Sequence, residues 1–214
     1  MTLIYSFLEL PKLNDSLIDS AFTSVKNKER ENRVNPNLFS LPGYQEYKDR
    51  TITRVDGTTV KSAAGYRYWV GEEFKDWVFE HFNQDDRGCG VNIFNSPNAN
   101  VVAPHVDASR SFSIHYLLDE GGDNVDTIWW REKNHSLIRP DLKGNFNLKD
   151  CVDNYNRLEE IIRIQVPKYR WILMNVDVLH SVEIITRPRI SIQISRNSVP
   201  ENIKLIDPYY AVDQ

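Results

Sequence analysis

The residue pattern predicts an α+β protein that is mainly β, a sandwich or jelly roll with helices packed on one sheet. Two observations carry this expectation. From about residue 88 the chain breaks into short runs rich in β-branched and aromatic residues: "GVNIFN", "SFSIHYLL", "DTIWW", "IIRIQV", "RWILMNV" and "RISIQIS". Turn chemistry separates them, in "NSPNAN", "DEGGDN" and "LKGNFN". Before residue 88, apolar residues recur instead at helical spacing, so helices come first and strands follow with no helices between them. No segment repeats at a fixed period, which argues against a solenoid.

The first helix is expected in "NDSLIDSAFTSVKN", residues 14–27, where Leu17, Ile18, Ala21, Phe22 and Val25 form one stripe. Ser16 and Asp19 are spaced as a capping pair at its start. The second is expected in "GEEFKDWVFEHFN", residues 71–83, with Phe74, Trp77, Val78 and Phe82 on one side and an acidic first turn that suits the helix dipole. Between them "TITRVDGTTV" reads as a hairpin turning at Asp56 and Gly57. Residues 139–160 are polar and poorly periodic, and read as a long insertion between strands, a lid or a rim. We therefore expect one domain over 1–214, with a helical support region at 1–87 and the strand-built core at 88–200.

The chain has 214 residues, enough for one substantial core, and its 41% hydrophobic and 26% charged content is that of a folded globular protein. A net charge of -4 provides no general attraction to nucleic acid, and the mixed-sign stretch "KNKERENR" is no basic patch. No nucleic-acid partner is expected. The first residues lack the charged, apolar and small-residue succession of a signal peptide, and no apolar run approaches a membrane span of roughly 18 residues. Cys89 and Cys151 lie far apart and suggest neither a disulfide framework nor a zinc knuckle. A cytoplasmic protein is the expectation.

Chemistry concentrates in "APHVDASRS", residues 103–111. In extended chain, positions i and i+2 point the same way, so His105 and Asp107 can close on one cation if a third ligand arrives from elsewhere. His180, at the end of the apolar stretch "WILMNVDVLH", supplies a candidate. Two histidines and one carboxylate on a β scaffold make the facial triad that leaves positions open on Fe(II). Downstream, "RISIQIS" alternates strictly. Ile190, Ile192 and Ile194 should face the helices, and Arg189, Ser191, Gln193 and Ser195 should face inward. A buried arginine needs an anion, and guanidinium grips a carboxylate in two-pronged fashion.

Taken together, H-x-D, a distal histidine and Arg-x-Ser nine residues after it resemble the 2-oxoglutarate/Fe(II)-dependent dioxygenases, of the prolyl-hydroxylase-like kind. The likeness runs over roughly residues 88–195 and includes "YLLDEGGDNVDTIWW", similar to that superfamily's strand, Gly-Gly turn and strand. It implies a double-stranded β-helix (jelly-roll) core. It also implies Fe(II) held by His105, Asp107 and His180, with 2-oxoglutarate as cosubstrate. Arg189 and Ser191 would hold the distal carboxylate, and Asn92 would stand where many members place a tyrosine or asparagine toward the cosubstrate. The implied reaction uses O2 to hydroxylate an unactivated C–H bond of an organic or protein substrate: an amino-acid side chain in a protein, a free amino acid or a small metabolite. Because Asp107 is retained, hydroxylation is favoured over halogenation, which vacates that position. The alternatives are a non-catalytic jelly-roll protein that binds a carboxylate or a partner, and a cupin-like enzyme with another metal.

Other residues have two readings each. His115 either lines the cavity or is an interior hydrogen-bonded histidine. Trp129, Trp130 and Arg131 form either a substrate wall or a strand alternation, with one Trp in the core and the next under a loop. Arg187 shares a face with Arg189, but it precedes Pro188 and is expected at the exposed start of the strand. Asp177 is read as a turn residue, His81 as a helix-end cation and His135 as exposed.

Overall fold

Two alternating stretches, in "SFSIHYLL" and "RISIQIS", set the architecture, because each presents one apolar face and one mostly polar face. The computed structural model describes residues 1–27, 51–53, 57–61, 65–68, 71–82, 89–94, 100–107, 110–142 and 155–213. Its strands are β1 (Thr2–Leu8), β2 (Thr51–Thr53), β3 (Thr59–Lys61), β4 (Gly65–Tyr68), β5 (Cys89–Phe94), β6 (Val101–His105) and β7 (Phe112–Glu120). They continue as β8 (Asp126–Glu132), β9 (Leu158–Ile164), β10 (Trp171–Asn175), β11 (Leu179–Glu183), β12 (Arg189–Arg196) and β13 (Leu205–Ala211). The helices are α1 (Asp15–Asn27) and α2 (Glu72–Phe82). The described protein is thus mainly β, with two antiparallel sheets and two α-helices.

The larger sheet runs β13-β1-β10-β7-β12-β5-β4 and the smaller β6-β11-β8-β9, while β2 and β3 pair as a separate ribbon. On the larger sheet's outer face, Ile114, Tyr116 and Leu118 of β7 and Ile190, Ile192 and Ile194 of β12 pack against Leu17 and Ala21 of α1 and Phe74, Val78 and Phe82 of α2. Fully burying each such side chain stabilises the fold by roughly 1.5–3 kcal/mol. Between the sheets lies a second apolar cluster that joins Ile4, Leu117, Ile172 and Met174 to Trp129 of β8. Trp129 donates its indole N–H to the carbonyl of Asn175 at 3.1 Å, fastening one sheet to the other.

Several expectations are amended. Asn14, not the Ser16–Asp19 pair, caps α1: its side-chain oxygen accepts from the Leu17 N–H at 2.9 Å. The helix starts at Asp15, so Asn14 occupies the N-cap and Ser16 already lies inside the first turn. The first 87 residues are not only helical, since β1 and β4 join the larger sheet and β1 pairs with both β10 and β13. β13 also extends that sheet beyond residue 200. It holds Pro208, which an edge strand tolerates because no ladder donor is required on its open side. The ribbon pairs Thr53 with Thr59 as a hairpin should, with Gly57 at φ +80°; Asp56 lies outside the described residues.

Residues 143–154 and Cys151 likewise lie outside the described residues. The two stems of the 139–160 segment are fastened at a buried carboxylate, where Glu132 accepts from both Arg139 and Arg157. Leu142 and Tyr155 from these stems pack with Trp130, Ile128 and Leu179, on the side of the smaller sheet away from the larger one. Among the described residues no helix is long and apolar enough to cross a membrane.

Candidate metal centre

A β-bulge aims the first ligand. In the β6–β11 ladder, Val102 pairs with Val182 and His105 with His180, so β6 spends three steps where β11 spends two. Val101 and Ala103 point to the outer apolar cluster. Without the extra residue His105 would follow them. The bulge turns it to the inward side, and Pro104 fits there because a bulge leaves one N–H without a ladder partner. Asp107 follows two positions later on the same side, its backbone N–H donating to the Val176 carbonyl at 3.0 Å.

One potential ligand atom from each of His105, Asp107 and His180 lies within 4.8 Å of the other two. The imidazole rings are 4.3 Å apart between centroids, and His105 Nε2 is 3.5 Å from Asp107 Oδ1. Each histidine is oriented by its other nitrogen. His105 Nδ1 is 2.7 Å from the Ala103 carbonyl, and His180 Nδ1 is 3.0 Å from that of Val178. A carbonyl only accepts, so both Nδ1 atoms carry the proton and both Nε2 lone pairs face the centre. Burial, then the neighbouring His105, pushes the His180 pKa down to about 4, which keeps that lone pair free at neutral pH.

Asp107 is held by Arg110, whose Nε donates to Oδ2 at 2.8 Å and whose second guanidinium nitrogen lies 2.7 Å from the same oxygen. Arg110 also donates to Ser195 Oγ of β12 at 3.2 Å, bridging the two sheets. Burial opposes ionisation of Asp107. The Arg110 charge outweighs it and holds the carboxyl well below the ordinary range. With Oδ2 engaged by Arg110, Oδ1 faces His105. Two imidazole nitrogens and one carboxylate oxygen, all converging, suit a divalent first-row metal and match the donor set expected from sequence.

β12 carries a polar face away from the helices. Arg189 is 7% exposed and donates to the Glu120 carbonyl at 2.9 Å and to Thr127 Oγ1 at 3.3 Å. Among the described residues no carboxylate pairs with it, and burial brings its pKa down to about 10. Such a guanidinium suits an incoming anion. Arg187 differs. It is exposed and already bound to Asp119 at 3.1 Å and Asp123 at 3.6 Å. Asn92 of β5 stands opposite Ser191 in the ladder, and its side chain lies outside the described residues.

His115 is an interior hydrogen-bonded histidine, between Ser113 Oγ at 2.8 Å and Ser191 Oγ at 3.1 Å. The two tryptophans alternate. Trp129 is in the core, and Trp130 lies under Tyr155, edge-on at 5.4 Å, while donating to Ser181 Oγ at 2.9 Å. His81 closes α2 with Nδ1 2.8 Å from the Trp77 carbonyl, and His135 is exposed. Sequence reasoning gave no functional role to Arg110, Ser113 or Gln193. The signal for Arg110 was its place three residues after Asp107, close enough to reach back to it.

No family model and no curated protein matches this chain. Among solved structures, the crystal structure of AviO1 from Streptomyces viridochromogenes Tue57 aligns over 93% of this chain and 92% of its own, at 10% identity and a TM-score of 0.42. That likeness is too slight to define a fold family or an activity.

Proposed function

We propose that this protein is a 2-oxoglutarate- and Fe(II)-dependent dioxygenase, built on a double-stranded β-helix, that hydroxylates an unactivated C–H bond. The observation that carries this reading is the convergence of His105 Nε2, His180 Nε2 and Asp107 Oδ1, with a buried arginine that has no carboxylate partner among the described residues inside the same sheet pair. Fe(II), when bound, would supply the oxidative chemistry by engaging 2-oxoglutarate and O2 at its open positions.

The protein's own part is binding and aim. His105 and His180 present lone pairs because their Nδ1 protons are tied to carbonyls. Arg110 restrains Asp107 and neutralises it, so the carboxylate keeps its place before and after a metal arrives. Arg189 and Ser191 receive the distal carboxylate of 2-oxoglutarate, a bidentate pairing that aims its keto acid end at the metal. Val176 and Val178, whose carbonyls bond Asp107 and His180, belong to the apolar cluster between the sheets, which limits water beside the centre. The substrate is an organic molecule or a protein side chain.

The test is Fe(II)-dependent decarboxylation of 2-oxoglutarate under air, followed as succinate formation. Wild-type protein should turn over 2-oxoglutarate with Fe(II) and not with chelator, and Arg189→Leu should lose most of that rate. Absence of succinate with wild-type protein that binds both ligands would favour the non-catalytic carboxylate-binding alternative.

A further inference from the structure

Inside the larger sheet four side chains from β7 and β12 form a chain of hydrogen bonds that ends at Ser191. Gln193 Nε2 donates to Ser113 Oγ at 2.6 Å. Ser113 Oγ is 2.8 Å from His115 Nε2, and His115 Nδ1 is 3.1 Å from Ser191 Oγ. The register makes this possible. Across the β7–β12 ladder His115 is paired with Gln193 and Ser113 with Ser195, so these residues share the inward face. Ser113, Ser191 and Gln193 are all buried.

The donors decide the direction of the chain. An amide NH2 only donates, so Ser113 accepts from Gln193; the same NH2 lies 3.5 Å from His115 Nε2, which therefore presents its lone pair, and Ser113 turns its own hydroxyl proton toward it. A nitrogen that accepts carries no proton, so His115 is neutral with its proton on Nδ1, and that proton goes to Ser191 Oγ. Ser191 has then accepted its bond, and its hydroxyl hydrogen remains to be donated onward. Arg189, two residues earlier on the same strand face, is the buried guanidinium described above.

We infer that His115 is a positioning residue, which relays the Gln193 and Ser113 bonds so that the Ser191 hydroxyl is presented as a donor to a carboxylate bound by Arg189. This deepens the function proposed above and rests on it for the identity of the carboxylate, that of 2-oxoglutarate. Reversing the relay would place the Ser191 hydrogen on His115 and turn lone pairs toward the incoming anion.

Two measurements test it. The first is the tautomer of His115 in the metal-free protein, read from nitrogen-15 chemical shifts; protonation at Nδ1 is expected, and protonation at Nε2 would overturn the relay whatever the ligand. The second is the dissociation constant of 2-oxoglutarate with Mn(II) under anaerobic conditions. Ser191→Ala and His115→Leu should each weaken it roughly tenfold or more, the usual worth of a hydrogen bond to a charged group. The double variant should lose no more than Ser191→Ala alone, because His115 acts through Ser191. His115→Gln, whose amide can accept from Ser113 and donate to Ser191, should restore most of the affinity. Additive losses in the double variant would overturn the inference while leaving the proposed function standing. A wild-type protein that binds Mn(II) but not 2-oxoglutarate would overturn that function, and with it the part given to Ser191, even where the tautomer is as expected.

Discussion

Nδ1 of His105 and of His180 is committed to a carbonyl two residues back, so each ring can offer only Nε2 to a shared ion. Replacing His105, Asp107 or His180 with Ala should abolish tight Fe(II) binding and leave the protein folded, as anaerobic titration calorimetry will read. Wild-type affinity in any two of these variants would contradict the triad. For the arginines, Arg189→Leu should weaken 2-oxoglutarate binding far more than Arg187→Leu. Loss of the buried guanidinium strands a desolvated carboxylate at a cost of roughly 3–5 kcal/mol. Arg187 is exposed and occupied by Asp119 and Asp123, so its loss should change cosubstrate affinity little. The buried histidines also set a pH dependence. Burial comes first in pushing the His115 pKa to about 3, with Arg110 and Arg189 adding to it, and the His180 pKa is about 4. The unfolded chain takes up those protons near 6.5. Between about pH 6.5 and 4 the unfolded state therefore binds more protons, and stability falls with pH by up to about 1.4 kcal/mol per unit for each histidine. The Tm of metal-free protein should drop across that window, and less steeply in His115→Gln.

Strand ends and turns transmit these requirements. The Gly-Gly turn between β7 and β8 packs directly on the strand that carries Arg189: a Cβ on Gly121, which sits at φ +85°, would come 2.7 Å from the Arg189 Cβ. Gly57 has a similar φ of +80° with nothing within 4 Å. Gly57→Ala should therefore cost only the backbone strain of about 1–2 kcal/mol. Gly121→Ala adds a backbone-level clash and should both destabilise more and weaken 2-oxoglutarate binding, which paired thermal melts and titrations will compare. Equal effects on stability and unchanged cosubstrate affinity would detach the turn from the site. At the start of α1, Asn14→Ala should cost about 1 kcal/mol for the lost cap, whereas Ser16→Ala should be close to neutral.

The proposed site exists only where the two sheets meet. His105, Asp107 and His180 come from the smaller sheet and its following turn, Arg189 and Ser191 from the larger, and Arg110 bonds across to Ser195. A ligand that spans metal and arginine should therefore stabilise the entire fold. With Mn(II) under anaerobic conditions, 2-oxoglutarate at about a hundredfold above its dissociation constant should add roughly 2.7 kcal/mol. For a chain of this size that is a Tm rise of about 5–11 °C. Succinate, without a keto acid end to chelate the metal, should do less. A metal-independent rise, equal for both acids, would mark a simple carboxylate-binding protein instead.

Period-two patterns were readable directly. The alternation of "RISIQIS" placed three isoleucines on the helices and Arg189, Ser191, Gln193 and Ser195 on the inward face, because side-chain direction in a strand follows from position alone. The same rule put His105 and Asp107 on one side. It could not say which side, because that depends on the bulge at Pro104, a feature of how β6 pairs with β11. Strand β1 went unread because its partners, β10 and β13, lie far along the chain and its own apolar pattern is short. Strand β13 was hidden by Asp207 and Pro208, which read locally as a turn and are tolerated only at an open sheet edge. The relay through Ser113, His115 and Gln193 needs two strands in register, and hydrogen-bond direction has no counterpart in a linear pattern. Local geometry is written in residue spacing, whereas convergence on a shared point depends on which strands become neighbours, a choice made by the burial of the whole chain.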